Sequence, residues 1–357
     1  MKKILIIFIG LPLACLLFTA FLLNTEGFIS INLGESRVAF SLIFILTMSH
    51  LTISSMSLSF HRFHTHGGMI LNRYLDIAMQ TLLWLVTSMS MADWVAIHKV
   101  HHRHSDTAKD PHGPIARGFW HSLLKGSVDY NRAKKNPEVL AVRSQLKLTA
   151  LETFYMNNNL MGPFIGSSLM ILLFGWQLGL IYSGLNMLIS PAFGVGGVNT
   201  LAHWWGYKNH KSKDNSRNLG FLVPLNFLIC GELDHNNHHG RQKSCSFRHK
   251  WYEFDIGYVY IKMLEKLKLA RVEFAYTPSS MKEELSIKWR ATIERNRVLK
   301  SRMIELAEEF KLSRDQLVEM MTNSFAGRKE KLERPFKEFK KEILRAMRQE
   351  YAYNPGN

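Results

Sequence analysis

Residues 4–23 form an unbroken run of twenty without a formal charge, preceded by Lys2 and Lys3. About twenty apolar residues cross a hydrocarbon core as a helix, which satisfies its own backbone hydrogen bonds in lipid. This run narrows the possible folds more than any other feature. A cleaved signal peptide would have an apolar stretch of only about 7–15 residues and a small-x-small cleavage site, and no such site follows here. The run therefore reads as a retained span, its N-terminus held in the cytosol by the two lysines. A second apolar stretch, at about 38–60, completes a hairpin that returns to the cytosol at His61. Two further spans fit residues 160–174 and 178–198, broken at Gly175-Trp176-Gln177. Gly162, Gly166, Ser167 and Ser168 are small enough there for close helix contact.

Residues 75–92 are also apolar but carry Asp76 and Gln80. If they crossed, the histidines on either side would face opposite compartments. An interfacial or re-entrant helix buried against protein is the expectation. The apolar share of 46% beside a mean hydropathy of -0.08 implies a second, strongly charged part. Within 281–357 there are 18 Lys and Arg against 13 Asp and Glu. Ser280-x-x-Glu283 and Ser313-x-x-Gln316 have the spacing of capping boxes, and Leu317, Met320 and Met321 make an apolar face at helical spacing. A net charge of +16 without a nucleic-acid-binding module points to a membrane surface rather than nucleic acid. Cys15, Cys230 and Cys245 have no metal-ligand or redox spacing, which suits a reducing cytosolic face.

The sixteen histidines are clustered: HRFHTH at 61–66, HKVHH at 98–102 and HNNHH at 235–239. In the H-x-x-H-H pattern, positions i, i+3 and i+4 share a helix face, so each triplet is expected to offer three imidazoles to one place. Asn199 and His203 stand at i, i+4 where the last span ends. Eight box histidines with His203 are too many for one ion and suit two, and imidazole suits iron, zinc, copper or nickel. Lone histidines such as His50, His112, His210 and His249 read as structural, as does His121, and His64 and His104 break the face pattern.

These motifs, in this order between paired spans, resemble the membrane-bound fatty acid desaturases. WVAIHKVHHRHSDTAKDPH, VNTLAHWWGY and GELDHNNHHG resemble segments of the stearoyl-CoA type, and the likeness covers about 51–270. No HPGG haem motif of a fused cytochrome b5 domain is present. The resemblance implies an all-α membrane protein with four spans in two hairpins and a cytosolic helical cap over two irons. It implies His61, His66, His98, His101, His102, His203, His235, His238 and His239 as ligands, with Asn199 holding a metal through water. Residues 1–270 would be the membrane desaturase part and 271–357 a charged helical extension.

The reaction implied is O2-dependent introduction of a cis double bond, at the delta-9 position, into a saturated acyl chain carried by CoA. The alternative within this architecture is a hydroxylase of alkane, sterol or carotenoid type. A histidine-rich metal transporter or sensor would need ionisable residues inside its spans, which these nearly lack. With no haem, flavin or iron–sulfur motif, electrons are expected from a separate protein of ferredoxin or cytochrome b5 type. Trp94 has two readings, a contact to the acyl chain or an interfacial anchor. Asp106, Asp110, Glu232 and Asp234 either hold ligand imidazoles or serve as loop and cap residues. Arg and Lys residues of 117–147 read as a solvated face, with neutralisation of a CoA or other phosphate headgroup as the alternative. Leu46, Ser49 and Ile53 stand one turn apart facing the boxes, and small Ser49 is the candidate for the floor of an acyl tunnel.

Overall fold

The computed structural model describes residues 37–309. The span expected at 4–23, the capping box at Ser313 and the face at Leu317, Met320 and Met321 lie outside them. A first compact unit ends at Met281 and a second begins at Lys282.

Helix α1 (Arg37–Ser55) runs directly into a π-helix, Met56–Thr65, which carries the first histidine box. Together they supply an apolar helix long enough to cross a membrane, Phe40–Thr65. Helix α2 (Arg73–Thr87) and helix α3 (Met91–His104) follow, meeting at an angle of 86°. The stretch expected as one helix over 75–92 is thus broken. Ser88 takes a left-handed conformation (φ 62°) that stops α2, and the Ser90 hydroxyl accepts from Asp93 N–H to open α3. Asp76 and Gln80 of α2 are buried and bonded: Asp76 accepts from Ser59 (2.5 Å) and from Gln80 (2.8 Å).

Helix α4 (Met161–Pro191) is the other strongly apolar element. By length and hydropathy it would count as one span, but Gly175 has φ 79° and ψ 166°, far from helical values. Rings of Phe174 and Tyr182 lie 5.1 Å apart. A Cβ placed on Gly179 would lie 2.4 Å from Ile171 Cα. Residues eight apart on a straight helix are separated by about 12 Å, so the chain reverses at Gly175 into two antiparallel arms. The glycines expected to allow close contact do so against α2: a Cβ on Gly162 would sit 2.1 Å from the Trp84 carbonyl oxygen, and one on Gly166 2.5 Å from that of Leu85. The second arm passes into another π-helix, Ala192–Leu201, and the turn Ala202–Trp204 that carries His203.

The third box forms a short helix, α5 (His235–Gly240), followed by α6 (Ile256–Lys266). Strands β1 (Met69–Leu71) and β2 (Ala270–Val272) pair antiparallel and tie the first box to residues beyond α6. Around the box helices lie two apolar clusters, one of Phe60, Leu83, Val95 and Val100, the other of Ile53, Leu219 and Leu233. Helix α7 (Pro278–Glu309) starts two residues before Ser280, with Pro278 as its first residue, so Ser280 lies inside the first turn and does not cap it.

Candidate metal centre

The first box shows how local structure sets side-chain direction. His61 and His66 are five apart, which on an α-helix turns them about 140° away from each other. On the π-helix the His66 N–H reaches the His61 carbonyl (3.2 Å), the i→i+5 bond of that geometry. Both rings then point the same way, with centroids 5.1 Å apart. His64 points elsewhere and bonds Asp76 at 2.9 Å.

Nine histidines converge in two groups: His61, His66, His98, His102 and His238 in one, His101, His203, His235 and His239 in the other. In each group the potential donor atoms lie within 4.8 Å of one another. The expectation that each H-x-x-H-H triplet serves one place needs correction. On α3, His98 and His102 enter the first group and His101 the second; on α5, His235 and His239 enter the second and His238 the first. Residues i and i+4 lean together, whereas i+3 is rotated toward the neighbouring group. The two short helices exchange one histidine each.

The donor set fits metal ions. His238 Nε2 lies 3.0 Å from His61 Nε2 and 2.8 Å from His102 Nε2, which lies 3.0 Å from His98 Nε2. In the second group, His239 Nε2 and His235 Nε2 are 3.1 Å apart. Two nitrogens bound to one ion at about 2.1 Å stand about 3.0–3.4 Å from each other. A single proton can bridge only one such contact, so a chain of three is poorly satisfied without a cation. The Nε2 atoms of His66, His101 and His203 are buried with no hydrogen-bond partner. Burial, reinforced by neighbouring imidazoles, pushes His235 and His238 well below the ordinary histidine range, and His239 down to about 4. Neutral imidazoles offer lone pairs.

Four carboxylates hold rings of these two groups by Nδ1, opposite the inward Nε2. The Nδ1–H of His61 donates to Glu232 (2.9 Å), that of His101 to Asp110 (3.0 Å), that of His203 to Asp106 (2.9 Å) and that of His239 to Asp214 (2.6 Å). Each bond fixes the tautomer that turns Nε2 inward. For Asp106, Asp110 and Glu232 the imidazole-holding reading stands. Asp234 bonds Asn226 instead (3.0 Å). Asp214 was missed, since it lies far from any box in sequence. Arg62 was missed too. Its guanidinium is fully buried and donates to Ser57, Asp255, and the carbonyls of Cys245 and Cys230. Ser57 in turn donates to Glu232 (2.5 Å), so the first box is braced from behind by one hydrogen-bonded chain.

A cavity reaches the groups from one side, lined by Met56, Trp94, Val198, Asn199 and the rings of His61, His98 and His235. Trp94 stacks on His98 with centroids 4.6 Å apart, so it lies beside the histidines, as the acyl-contact reading requires. His112, read as structural, is buried on this cavity with its ring stacked on His101 (4.7 Å). Ser49 donates to Asn186 Oδ1 (3.0 Å). Asn186 lines a separate apolar cavity between α1, α2 and α4.

A fatty acid desaturase family model matches residues 37–261, the stretch that builds this site. The chain belongs to the fatty acid desaturase family. Among its relatives, delta-9 desaturase-like 5 protein of Arabidopsis thaliana is 31% identical over 229 residues, covering 62% of this chain and 72% of the relative. The sn-1 stearoyl-lipid 9-desaturase of Synechocystis sp. is 29% identical, over 60% of this chain and 66% of its own. Hex-5-enoyl-[acyl-carrier protein] acetylenase of Moorena producens is 27% identical, over 63% and 74%. This desaturase is accordingly an oxidoreductase and a membrane protein of a family that uses iron.

Proposed function

We propose that this desaturase introduces a cis delta-9 double bond into a saturated acyl chain, using O2 and two electrons. Two irons would be held by His61, His66, His98, His102 and His238 on one side and by His101, His203, His235 and His239 on the other, with Asn199 contributing through water. The observation that carries this reading is the pair of histidine groups beside a cavity with apolar walls. The iron pair supplies the oxidising power, drawn from O2, that removing hydrogen from an unactivated methylene requires and no side chain has.

The chain's own residues do the rest. Met56, Trp94 and Val198 present an apolar lining that receives an acyl chain and leaves little for water to bond. The four carboxylates orient the rings of His61, His101, His203 and His239 and turn each Nε2 inward. Overall, one O2, two electrons and two protons are consumed, the acyl chain gives up two hydrogens, and two waters form. The helix Phe40–Thr65 and the reversed α4, with the run at 4–23, are read as four spans that leave the boxes and both termini in the cytosol.

The carrier is read as CoA. An acyl-lipid carrier is the second reading, favoured by the name of the Synechocystis relative. Expression in a desaturase-deficient host, with the double bond located in the extracted fatty acids, tests the activity. Membranes given labelled acyl-CoA or labelled phospholipid separate the carriers. A host that gains hydroxylated chains and no alkene contradicts the reading.

A further inference from the structure

The two histidine groups are braced from different directions. Behind the first stand Glu232, Ser57 and Arg62, all buried. The second is held by Asp106, Asp110 and Asp214, which sit on two surface segments, 105–110 and 208–217. The segments join where Asn215 N–H donates to Asp106 (2.6 Å). On them, every carboxylate bonds a histidine of the second group, and Lys109, Lys208, Lys211 and Lys213 are exposed to solvent. The exposed charges on these two segments are lysines. From Lys213 to His239 there is a single intervening residue, Asp214, whose carboxylate bonds the ring at 2.6 Å.

We infer that this face is where an acidic one-electron carrier protein docks and that electrons enter by way of the second histidine group. The inference rests on the desaturase reading, whose reaction draws its two electrons from outside the chain. Two encounters, one electron each, balance one turnover. Clustered lysines steer an acidic partner and raise its encounter rate in a salt-dependent way. The Asp214–His239 and Asp106–His203 bonds bring the surface to within one side chain of a metal ligand, whereas the first group has no comparable route through the residues that brace it.

The test uses the full-length, iron-loaded chain and its variant Lys109→Glu/Lys211→Glu/Lys213→Glu. Reduction by a reduced acidic [2Fe–2S] ferredoxin is followed by stopped flow at low salt. The variant should be reduced about tenfold more slowly or worse, and the native rate alone should fall steeply with salt. Once reduced by dithionite, both proteins should form the same product in a single turnover. The proposal is overturned if the variant is reduced within about twofold of the native rate. It is also overturned if the native chain is reduced no faster by the acidic carrier than by a cationic carrier of similar potential. Slower binding to anionic vesicles with an unchanged ferredoxin rate would assign the lysines to lipid instead. Absence of product from the dithionite-reduced native chain, with the ferredoxin effect intact, would count against the desaturase reading and leave the docking face standing.

Discussion

His102 and His238 stand 136 residues apart in the chain, yet their Nε2 atoms lie 2.8 Å from each other. One comes from α3 and the other from α5, so the contact joins the second box directly to the third. Neither box alone forms a group; the exchange between them creates two.

The Glu232 bond to His61 is a direct test of the bracing. Glu232→Gln keeps shape but loses the charge that holds the ring, and such losses typically weaken metal binding about 10–100-fold. Iron should leave this variant at a chelator concentration that the native protein withstands. Arg62→Ala would strand the buried Asp255 carboxylate and should cost about 3–5 kcal/mol of stability, read as a drop in thermal midpoint. Arg62→Lys should recover only part, because an ammonium lacks the planar fork.

His64 is the histidine of the first box that lies outside both groups. Its ring bonds Asp76 rather than either group, so His64→Ala should retain a substantial share of turnover and full iron. His66→Ala, two residues away, should abolish turnover. Equal loss from both would contradict the assignment.

Much of this was legible in the chain. The boxes, the apolar stretches at 38–60 and 160–198 and the break at Gly175 are strong patterns, because spans and metal-binding helices both demand a fixed periodicity. The π-helices were not legible, since one inserted residue per turn leaves no compositional trace. That is why the rotation of His66 toward His61 had to come from the structure. Asp214 and Arg62 were hidden for another reason: their partners lie 25 and 193 residues away, and such pairings are set by tertiary packing.

The 86° bend between α2 and α3 bears on topology. Single cysteines at Asn72 and at Thr107, both exposed, flank the bent pair. In an otherwise cysteine-free chain both should label from the cytosolic side of sealed vesicles. Labelling from opposite sides would make the pair a crossing and separate the first box from the second.

Ser49 bears on chain length. It is buried and bonded to Asn186, which lines the apolar cavity between α1, α2 and α4. Ser49→Phe should shorten the preferred acyl chain by a few carbons while the double bond keeps its distance from the carboxyl end. A shifted double bond, or an unchanged chain-length profile in folded, iron-loaded protein, would rule Ser49 out.

Counting metal in the purified, active protein reaches the centre of the account. Elemental analysis of chain isolated in mild detergent should give close to two irons per chain, because five imidazoles and four imidazoles form separate groups. One metal per chain, or stoichiometric zinc or copper with desaturation retained, would contradict it.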